Sequence, residues 1–441
     1  MRLGLCVALN LFVIPPLAAQ DITISGTSRL RYETISGQPR AGFNDSDALV
    51  NLRTTVAVEY ENGAFKLVGE IYDSRAYGAE SGTPLTANEV NALEPVQAYV
   101  AVDGGDALGR GSRLGVQAGR FLLNLGSRRL VAADDYRNTT NSNTGVRVDI
   151  GAAGGFDATI IYTLPQVRRP DDFAALKSNR VKLDRESFDL VLWGGIAAKR
   201  NAIGATMAEI SYFRLGERDA PGRPTRNRSL ETVGFRLLRE PAVRRWDHEA
   251  EIFYQFGTVR AGLAPAAPVL DVSAWFVHAD IGYTFTSKWK PRLSLEFDYA
   301  SGERAGPTVT RFDTLFGMRR ADLGPAGLYN SIGRANILTP GLRLEATPSP
   351  RLDWFADYRP MWLASRTDAF STTGVRDASG QSGRFAGHQI EGRIRYWLVP
   401  KRLRLEANGV LLMKGRFLET APNAPRNGDT RYLSLNATVS I

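Results

Sequence analysis

The chain has 441 residues, 43% of them hydrophobic and 23% charged, which is too apolar for a disordered polymer, and no Pro/Ser-rich linker divides it into domains. A mean hydropathy of −0.21 excludes a bundle of transmembrane helices. The formal charge of +9 points to acidic partners, and the single cysteine excludes a disulfide framework or a cysteine metal site.

In chain order the first element is "MRLGLCVALNLFVIPPLAAQ", with Arg2, an apolar segment from Leu3 to Ile14, a Pro15-Pro16 break and small residues at Ala18 and Ala19. This is the layout of a signal peptide over 1–19, because the apolar segment is too short to span a bilayer of roughly 30 Å. Cys6 would leave with it. Residues 20–441 then form one domain.

Within that domain, segments of roughly ten residues alternate apolar and polar side chains, the period of a β-strand. They fall at 22–34, 48–61, 64–75, 93–103, 113–121, 144–151, 155–163, 184–197, 204–215, 228–238, 245–258, 272–286, 290–300, 337–347, 351–363, 386–398, 401–415 and 429–441. Short turns, among them "ENGA" with its Asn62-Gly63 pair, "GAAGG", "TPSPR" and "VPK", alternate with long connections such as 122–143, 164–183 and 301–336. An even strand count with strict short-long alternation puts both termini on the short-turn side. The expected fold is therefore all-β: a transmembrane antiparallel β-barrel of about 18 strands, with short periplasmic turns and long extracellular loops.

Alternation alone does not say which face is buried. In "DVSAWFVHADIGYTFT", Trp275, Val277, Ile281, Tyr283 and Phe285 share one face, while Ala274, His278, Asp280 and Thr284 share the other, and Phe276 breaks the pattern. Other strands carry Arg and Glu on the polar face, as in "HQIEGRIRYWL", where Gln389, Glu391, Arg393 and Arg395 oppose Ile390, Ile394, Tyr396 and Leu398. A wet barrel interior tolerates such charges, so the apolar face is assigned to lipid and the polar face to the lumen. Trp275, Trp289, Trp354, Trp362 and Trp397 near strand ends suit interfacial girdles.

The chemistry of catalysis is sparse. Of His248, His278 and His388, parity places His248 on the apolar face, and luminal His278 has no serine nucleophile at a recognisable spacing. The acidic groups Asp247/Glu249/Glu251, Asp353/Asp357 and Asp134/Asp135 are read as partners of luminal arginines in preference to glycosidase or calcium carboxylates. No enzyme activity, cofactor or metal site is expected. Basic residues at luminal positions (Arg29, Arg31, Arg53, Lys66, Arg147, Arg236, Arg343, Arg359, Arg393, Arg395) and in "QVRRPDDFAALKSNRVK" suit selection of anions.

Two windows resemble the alginate export family of outer-membrane proteins. Residues 298–370 carry Ser301-Gly302-Glu303, Phe312-Asp313-Thr314-Leu315-Phe316, Asn336-Ile337 and Trp362-Leu363-Ala364 before Asp368. Residues 119–149 carry Gly119-Arg120, Asp135-Tyr136-Arg137-Asn138 and Gly145-Val146-Arg147, with Phe121 where the family has Gln. The resemblance implies an 18-stranded barrel with an arginine-rich lumen that passes an anionic polysaccharide, and it adds weight to Arg120, Arg137 and Arg147.

The sequence thus predicts a monomeric channel of the Gram-negative outer membrane for passive, anion-preferring passage of an alginate-like polysaccharide or smaller acidic saccharides. Arg120, Arg137, Arg147, Arg343, Arg359, Arg393 and Arg395 are the expected binding residues. Expected partners are outer-membrane lipid, the barrel-insertion machinery, the acidic saccharide and periplasmic export partners, with no nucleic acid. A gate is expected in loops 301–336 and 164–183 first. The alternatives are a general porin for small solutes, a barrel-type outer-membrane hydrolase, or an adhesive barrel with a closed lumen.

Overall fold

The structure, a computed structural model, describes residues 22–318 and 322–441; the expected signal peptide over 1–19 lies outside them. The strands in chain order are β1 (Ile22–Ser36), β2 (Asp47–Asn62), β3 (Phe65–Tyr77), β4 (Asn91–Gly105), β5 (Arg113–Leu122), β6 (Ser142–Ala152), β7 (Phe156–Pro165), β8 (Leu190–Ile203), β9 (Thr206–Glu217) and β10 (Ser229–Arg239). They continue as β11 (Trp246–Arg260), β12 (Val269–Thr284), β13 (Arg292–Ala300), β14 (Thr308–Val309), β15 (Ile337–Ser349), β16 (Leu352–Trp362), β17 (Phe385–Val399), β18 (Leu403–Lys414) and β19 (Thr430–Ser440). β14 is two residues inside a loop, paired parallel to β12. Each of the other eighteen pairs antiparallel with its neighbours along the chain, β13 with β15 across β14, and β1 pairs with both β2 and β19. The sheet is a closed 18-stranded barrel. Connections alternate between two to seven residues on one side and eight to 36 on the other.

The strand register follows the expected pattern with two differences. The eighth strand runs over Leu190–Ile203, not 184–197. Residues 181–185 do imitate a strand, with Val181 and Leu183 exposed, but Arg185 pairs only with Val167 of the same loop in an isolated bridge. In the first short turn Asn62 pairs with Phe65, so the two loop residues are Gly63 and Ala64, and Gly63 takes the positive φ of +59° that the first loop position of a primed turn requires.

The two faces are as read from the alternation: Trp275, Ile281 and Phe285 are exposed on the outside, whereas Ala274, His278 and Thr284 are buried inside. Outward aromatics form two belts. Trp193, Trp275 and Trp362 stand toward the loop side, with Trp193 tilted on Tyr212 and Trp275 on Tyr254; Trp246, Trp289 and Trp354 stand toward the short turns. Trp397 departs from its expected girdle: it shares the luminal parity of Arg393 and Arg395 and lies under the Arg404 guanidinium, 5.6 Å from the ring centroid.

Phe276 breaks the pattern because the lumen above it is not wet. It points inward and stacks between Phe253 of β11 and Phe312 of loop 301–336, at centroid distances of 6.0 and 5.7 Å. Loop 301–336 folds into the barrel and buries Leu323, Leu328, Tyr329 and Ile332 against the wall, joined by Phe370 of loop 363–384 and Phe417 of a short helix over Arg416–Thr420. Each such side chain contributes roughly 1.5–3 kcal/mol on burial, so this loop is a packed plug. A charge network locks it in place. Arg129 of loop 123–141 forks onto Asp322 (2.9 Å to each oxygen) and reaches Glu249 (2.7 Å) and Glu251 (2.9 Å) of β11, while Arg334 binds the same Asp322 carboxylate at 2.5 Å. Burial opposes ionisation of Asp322, but the Arg129 and Arg334 guanidiniums outweigh it and hold the carboxyl below the ordinary aspartate range. The lock is therefore intact above that range and is lost only as pH falls through the depressed value.

Two outcomes follow from this packing. Leu295→Arg, at a position 61% exposed in the middle of β13, should lower the stability of the barrel refolded into lipid vesicles by about 2–4 kcal/mol in a denaturant titration; an unchanged midpoint would take that face out of the membrane. Asp322→Asn leaves two buried guanidiniums underpaired, a loss on the order of 3–5 kcal/mol confined to the plug. Loop 301–336 should become sensitive to protease while the barrel keeps its heat-modifiable gel mobility, and a protease-resistant loop would show that apolar packing alone holds it.

Candidate functional site

On the inner face of β16 every second residue points into the lumen, so Asp353, Phe355, Asp357 and Arg359 rise in steps of roughly 7 Å from the short-turn side toward the loops. Around them gather four of the arginines singled out in the sequence. Arg395 Nε donates to both oxygens of Asp353 (2.9 and 3.1 Å) and Arg393 reaches the same carboxylate at 3.2 Å. Arg343 binds Glu345 at 3.1 Å and, with Arg393, lies over the Phe355 ring at 3.9 and 4.8 Å. These three guanidiniums border lumen and keep part of their surface open. Arg359 does not. It is 1% exposed, with Asp298 and Asp357 each at 2.9 Å and Glu296 also in contact, so it cross-links the wall and the exchangeable rungs stop below it.

Arg147 is luminal on β6 and forks onto Asp149 at 2.7 and 2.9 Å. Arg120 is placed differently from the expected luminal position. The register pairs it with Ala98 and Thr144, giving it the face of exposed Ala98 and the opposite face from buried Phe121. There it binds Glu94 (2.7 Å) and Glu186 (3.4 Å), tying loop 166–189 to the barrel. Phe121, standing where the family has Gln, packs edge-on against Tyr99 and adds to the apolar core.

Loop 123–141 turns inward because the luminal arginines of β1 and β2 satisfy its carbonyl groups. Arg29 donates to the carbonyl oxygens of Asp135, Tyr136 and Arg137 (3.3, 3.1 and 2.7 Å), Arg31 to that of Tyr136 (2.6 Å), and Arg53 to those of Asp135 and Arg137 (3.2 and 3.1 Å). Arg31 also lies 4.1 Å from the centroid of the Tyr136 ring. The Asp135-Tyr136-Arg137-Asn138 element is thus the point at which this loop is pinned, and pinning it presents Arg137.

Arg137 meets a partner the sequence reading left out of its binding set, Arg168 of loop 166–189. The two guanidiniums share the same pair of neutral oxygens. Arg137 donates to Asn88 Oδ1 (3.1 Å) and Asn141 Oδ1 (2.7 Å), and Arg168 to Asn88 Oδ1 (2.7 Å) and Asn141 Oδ1. The remaining Arg168 contacts are the carbonyl oxygens of Ala87 (2.9 Å) and Thr140 (3.4 Å). Asp134 pairs with Arg137 at 3.6 Å, and among the described residues none of the hydrogen-bond partners of Arg168 is a carboxylate. Burial, with the neighbouring Arg137 charge, pushes Arg168 down to about 9, so it is still cationic at neutral pH. The pair lines a recess of about 380 Å³ together with Gln166, Arg223, Arg228 and Thr314. The usable signal for Arg168 was the basic run 166–182; what the sequence does not carry is that Asn88 and Asn141, far from it in the chain, would bring it to Arg137.

The histidines and acids singled out in the sequence meet wall and loop residues; His248 Nε2 lies 3.3 Å from Thr206 Oγ1. His278 Nδ1 is 2.8 Å from Asp298 Oδ1 and the ring is buried. His388 lies on the outer face, hydrogen-bonded to Tyr358 at 2.8 Å. Asp247, Glu249 and Glu251 all meet luminal or loop arginines, Arg292, Arg236 and Arg129. The motif residues of 301–368 converge on one node where the plug leaves and rejoins the wall. The Asn336 amide donates to the carbonyl oxygens of Ser365 and Ala369 (both 3.0 Å), Asp368 accepts from the Glu303 backbone (2.8 Å), and a side chain at Gly302 would sit 2.1 Å from Asn336 Oδ1.

Among solved structures, this fold is similar to three Pseudomonas aeruginosa barrels. OccK2 (OpdF) in complex with glucuronate has 12% identity and a TM-score of 0.58, over 96% of this chain and 98% of that one. OpdK with vanillate has 13% identity and a TM-score of 0.57, over 95% and 98%. OccK7 (OpdD) has 12% identity and a TM-score of 0.59, over 96% and 99%. No curated protein matches the chain by sequence. The family model for alginate export matches residues 21–430, nearly the whole barrel. The chain therefore belongs to the alginate export family, as a channel barrel of the Gram-negative outer membrane.

Proposed function

We propose that this channel passes acidic saccharides passively and with preference for anions, the cargo being an alginate-like uronate polymer or its smaller fragments, and that residues 1–19 serve as the export signal. The observation that carries the reading is the Arg137–Arg168 pair, two cations held side by side on a shared pair of neutral oxygens with a single carboxylate, Asp134, beside Arg137. Adjacent guanidiniums repel, and a carboxylate between them relieves that repulsion while accepting forked hydrogen bonds. Where luminal arginines already face a carboxylate, as Arg395 and Arg147 do, a passing uronate has to exchange with it, which keeps those sites weak. Family membership supports a polysaccharide cargo, and the glucuronate in OccK2 is a single uronate of the kind such a polymer repeats.

Reversal potentials in planar bilayers under a salt gradient test this. The wild-type pore should be anion-selective and blocked by alginate oligomers. Arg137→Gln with Arg168→Gln should reduce the anion-to-cation permeability ratio by about tenfold at low salt and by less at high salt, where screening takes over. A non-selective pore indifferent to uronates would leave a general porin, and a barrel without current would return the hydrolase and adhesin alternatives.

A further inference from the structure

We infer that residues 313–316 form a crossbar between two recesses of the loop-side lumen, latched to the barrel wall by the Arg228–Asp313 ion pair and released when a carboxylate of the cargo takes the place of Asp313 on Arg228; this rests on the uronate-passage reading above. Two recesses flank the segment. The one of about 380 Å³ holds Arg137 and Arg168, the other, of about 340 Å³, holds Gln255, Glu303 and Arg311, and Arg228 and Thr314 line both. They are the partition between the two spaces.

One end of the crossbar is fixed. Phe316 pairs with Val131, its amide donates to Leu130 O (2.9 Å), its carbonyl accepts from Ala132 N (3.2 Å) and Asn141 Nδ2 (3.1 Å), and a side chain at Gly317 would lie 1.8 Å from Arg129 O. The other end is held by polar contacts. The Asp313 backbone exchanges hydrogen bonds with the Gln255 amide (3.0 and 3.2 Å), and its carboxylate accepts from Arg228 Nη1 at 2.7 Å. Between the ends Leu315 has φ +48°, a left-handed conformation that leucine disfavours, stabilised by its amide donating to Asp313 Oδ1 at 2.9 Å.

The latch is built to exchange. Arg228 and Asp313 keep 27% and 30% of their side chains exposed, and an ion pair open to solution is weak and replaceable. Arg228 is also held by Glu217 at 2.9 and 3.0 Å, so it stays on the wall when Asp313 leaves. A cargo carboxylate in the Arg137–Arg168 recess stands next to Arg228, and swapping one carboxylate for another leaves the local charge unchanged. Cargo binding and opening are then coupled through a single guanidinium, and ions without a carboxylate of the right reach leave the partition closed.

Thr314→Cys, made with Cys6→Ala so that it is the only thiol, reports the crossbar directly through its rate of alkylation by N-ethylmaleimide in the refolded barrel. Asp313→Asn retains the acceptor for Leu315 and removes only the charge. It should speed labelling roughly two- to fivefold, the scale of one partly exposed ion pair, Arg228→Gln should do the same, and the double variant should add nothing further. Alginate oligomers should speed labelling several-fold in the latched protein and leave the Asp313→Asn protein unchanged. Equal rates in all variants, or oligomers that only slow labelling, overturn the latch; if oligomers still block an anion-selective current, the passage reading survives that result. Oligomers that alter neither labelling nor current overturn both.

Discussion

The structure depends on closing one β-ladder: β1 pairs with β19 over Thr27–Ser36 as well as with β2 over Ile22–Ile35, so among the described residues the ring of strands is closed. In hydrocarbon an unpaired backbone amide or carbonyl costs several kcal/mol, and a sheet can lie in lipid only when every one is satisfied within the ring. Closure explains why a 441-residue chain with a single cysteine holds together without disulfides. It also inverts the usual arrangement. With alternate side chains committed to lipid, the inner faces are free to carry Arg, Asp and Glu, because nothing requires them to form a dry core.

An 18-stranded ring is wide, and this chain fills part of it with its own loops. Backbone turned into a lumen brings carbonyl groups that the ladder cannot satisfy. Here Arg29, Arg31 and Arg53 satisfy those of residues 135–137, each guanidinium offering several donors in a fixed plane. These residues read in the sequence as an anion-selective lining and are in fact the anchors of an inward loop. The pairing of Arg137 with Arg168 depends on that anchoring. An arginine-rich lumen is therefore not one functional feature but several, separated by what each guanidinium meets.

The strand ladder was legible because its signal is local: period two over ten or more residues, interrupted by short turns. The eighth strand was misplaced by the same logic, since Val181 and Leu183 alternate with polar neighbours inside a loop. The inward loops were not legible as such, because their packing is set by contacts such as Phe312 on Phe276 and Asn141 on Arg168, between residues separated by tens of positions. A hint was present. A solvated loop of 36 residues has little use for Phe312, Leu315, Phe316, Leu323, Leu328, Tyr329 and Ile332, and Phe276 on an otherwise polar face marked where they would dock. The arginines of β15 to β17 were legible by parity; Arg120 and Arg137 entered through the family resemblance, and Arg168 lies in a loop that no strand pattern could place.

What separates a lock from an exchange site among these ion pairs is exposure. Arg334 and Arg359 are almost wholly enclosed with their carboxylates, and breaking such a pair strands a buried charge at a cost on the order of 3–5 kcal/mol. Arg228, Arg147 and Arg395 meet carboxylates at similar distances but keep about a quarter to a third of their surface open, where a pair is worth roughly 0–1 kcal/mol. A uronate brings an interaction of that smaller size. Under the proposed function it would compete on equal terms with Asp313, Asp149 or Asp353 and have no purchase on Asp322 or Asp298, so the proposed polymer cargo would pass along the open pairs without loosening the buried ones that keep the plug in place.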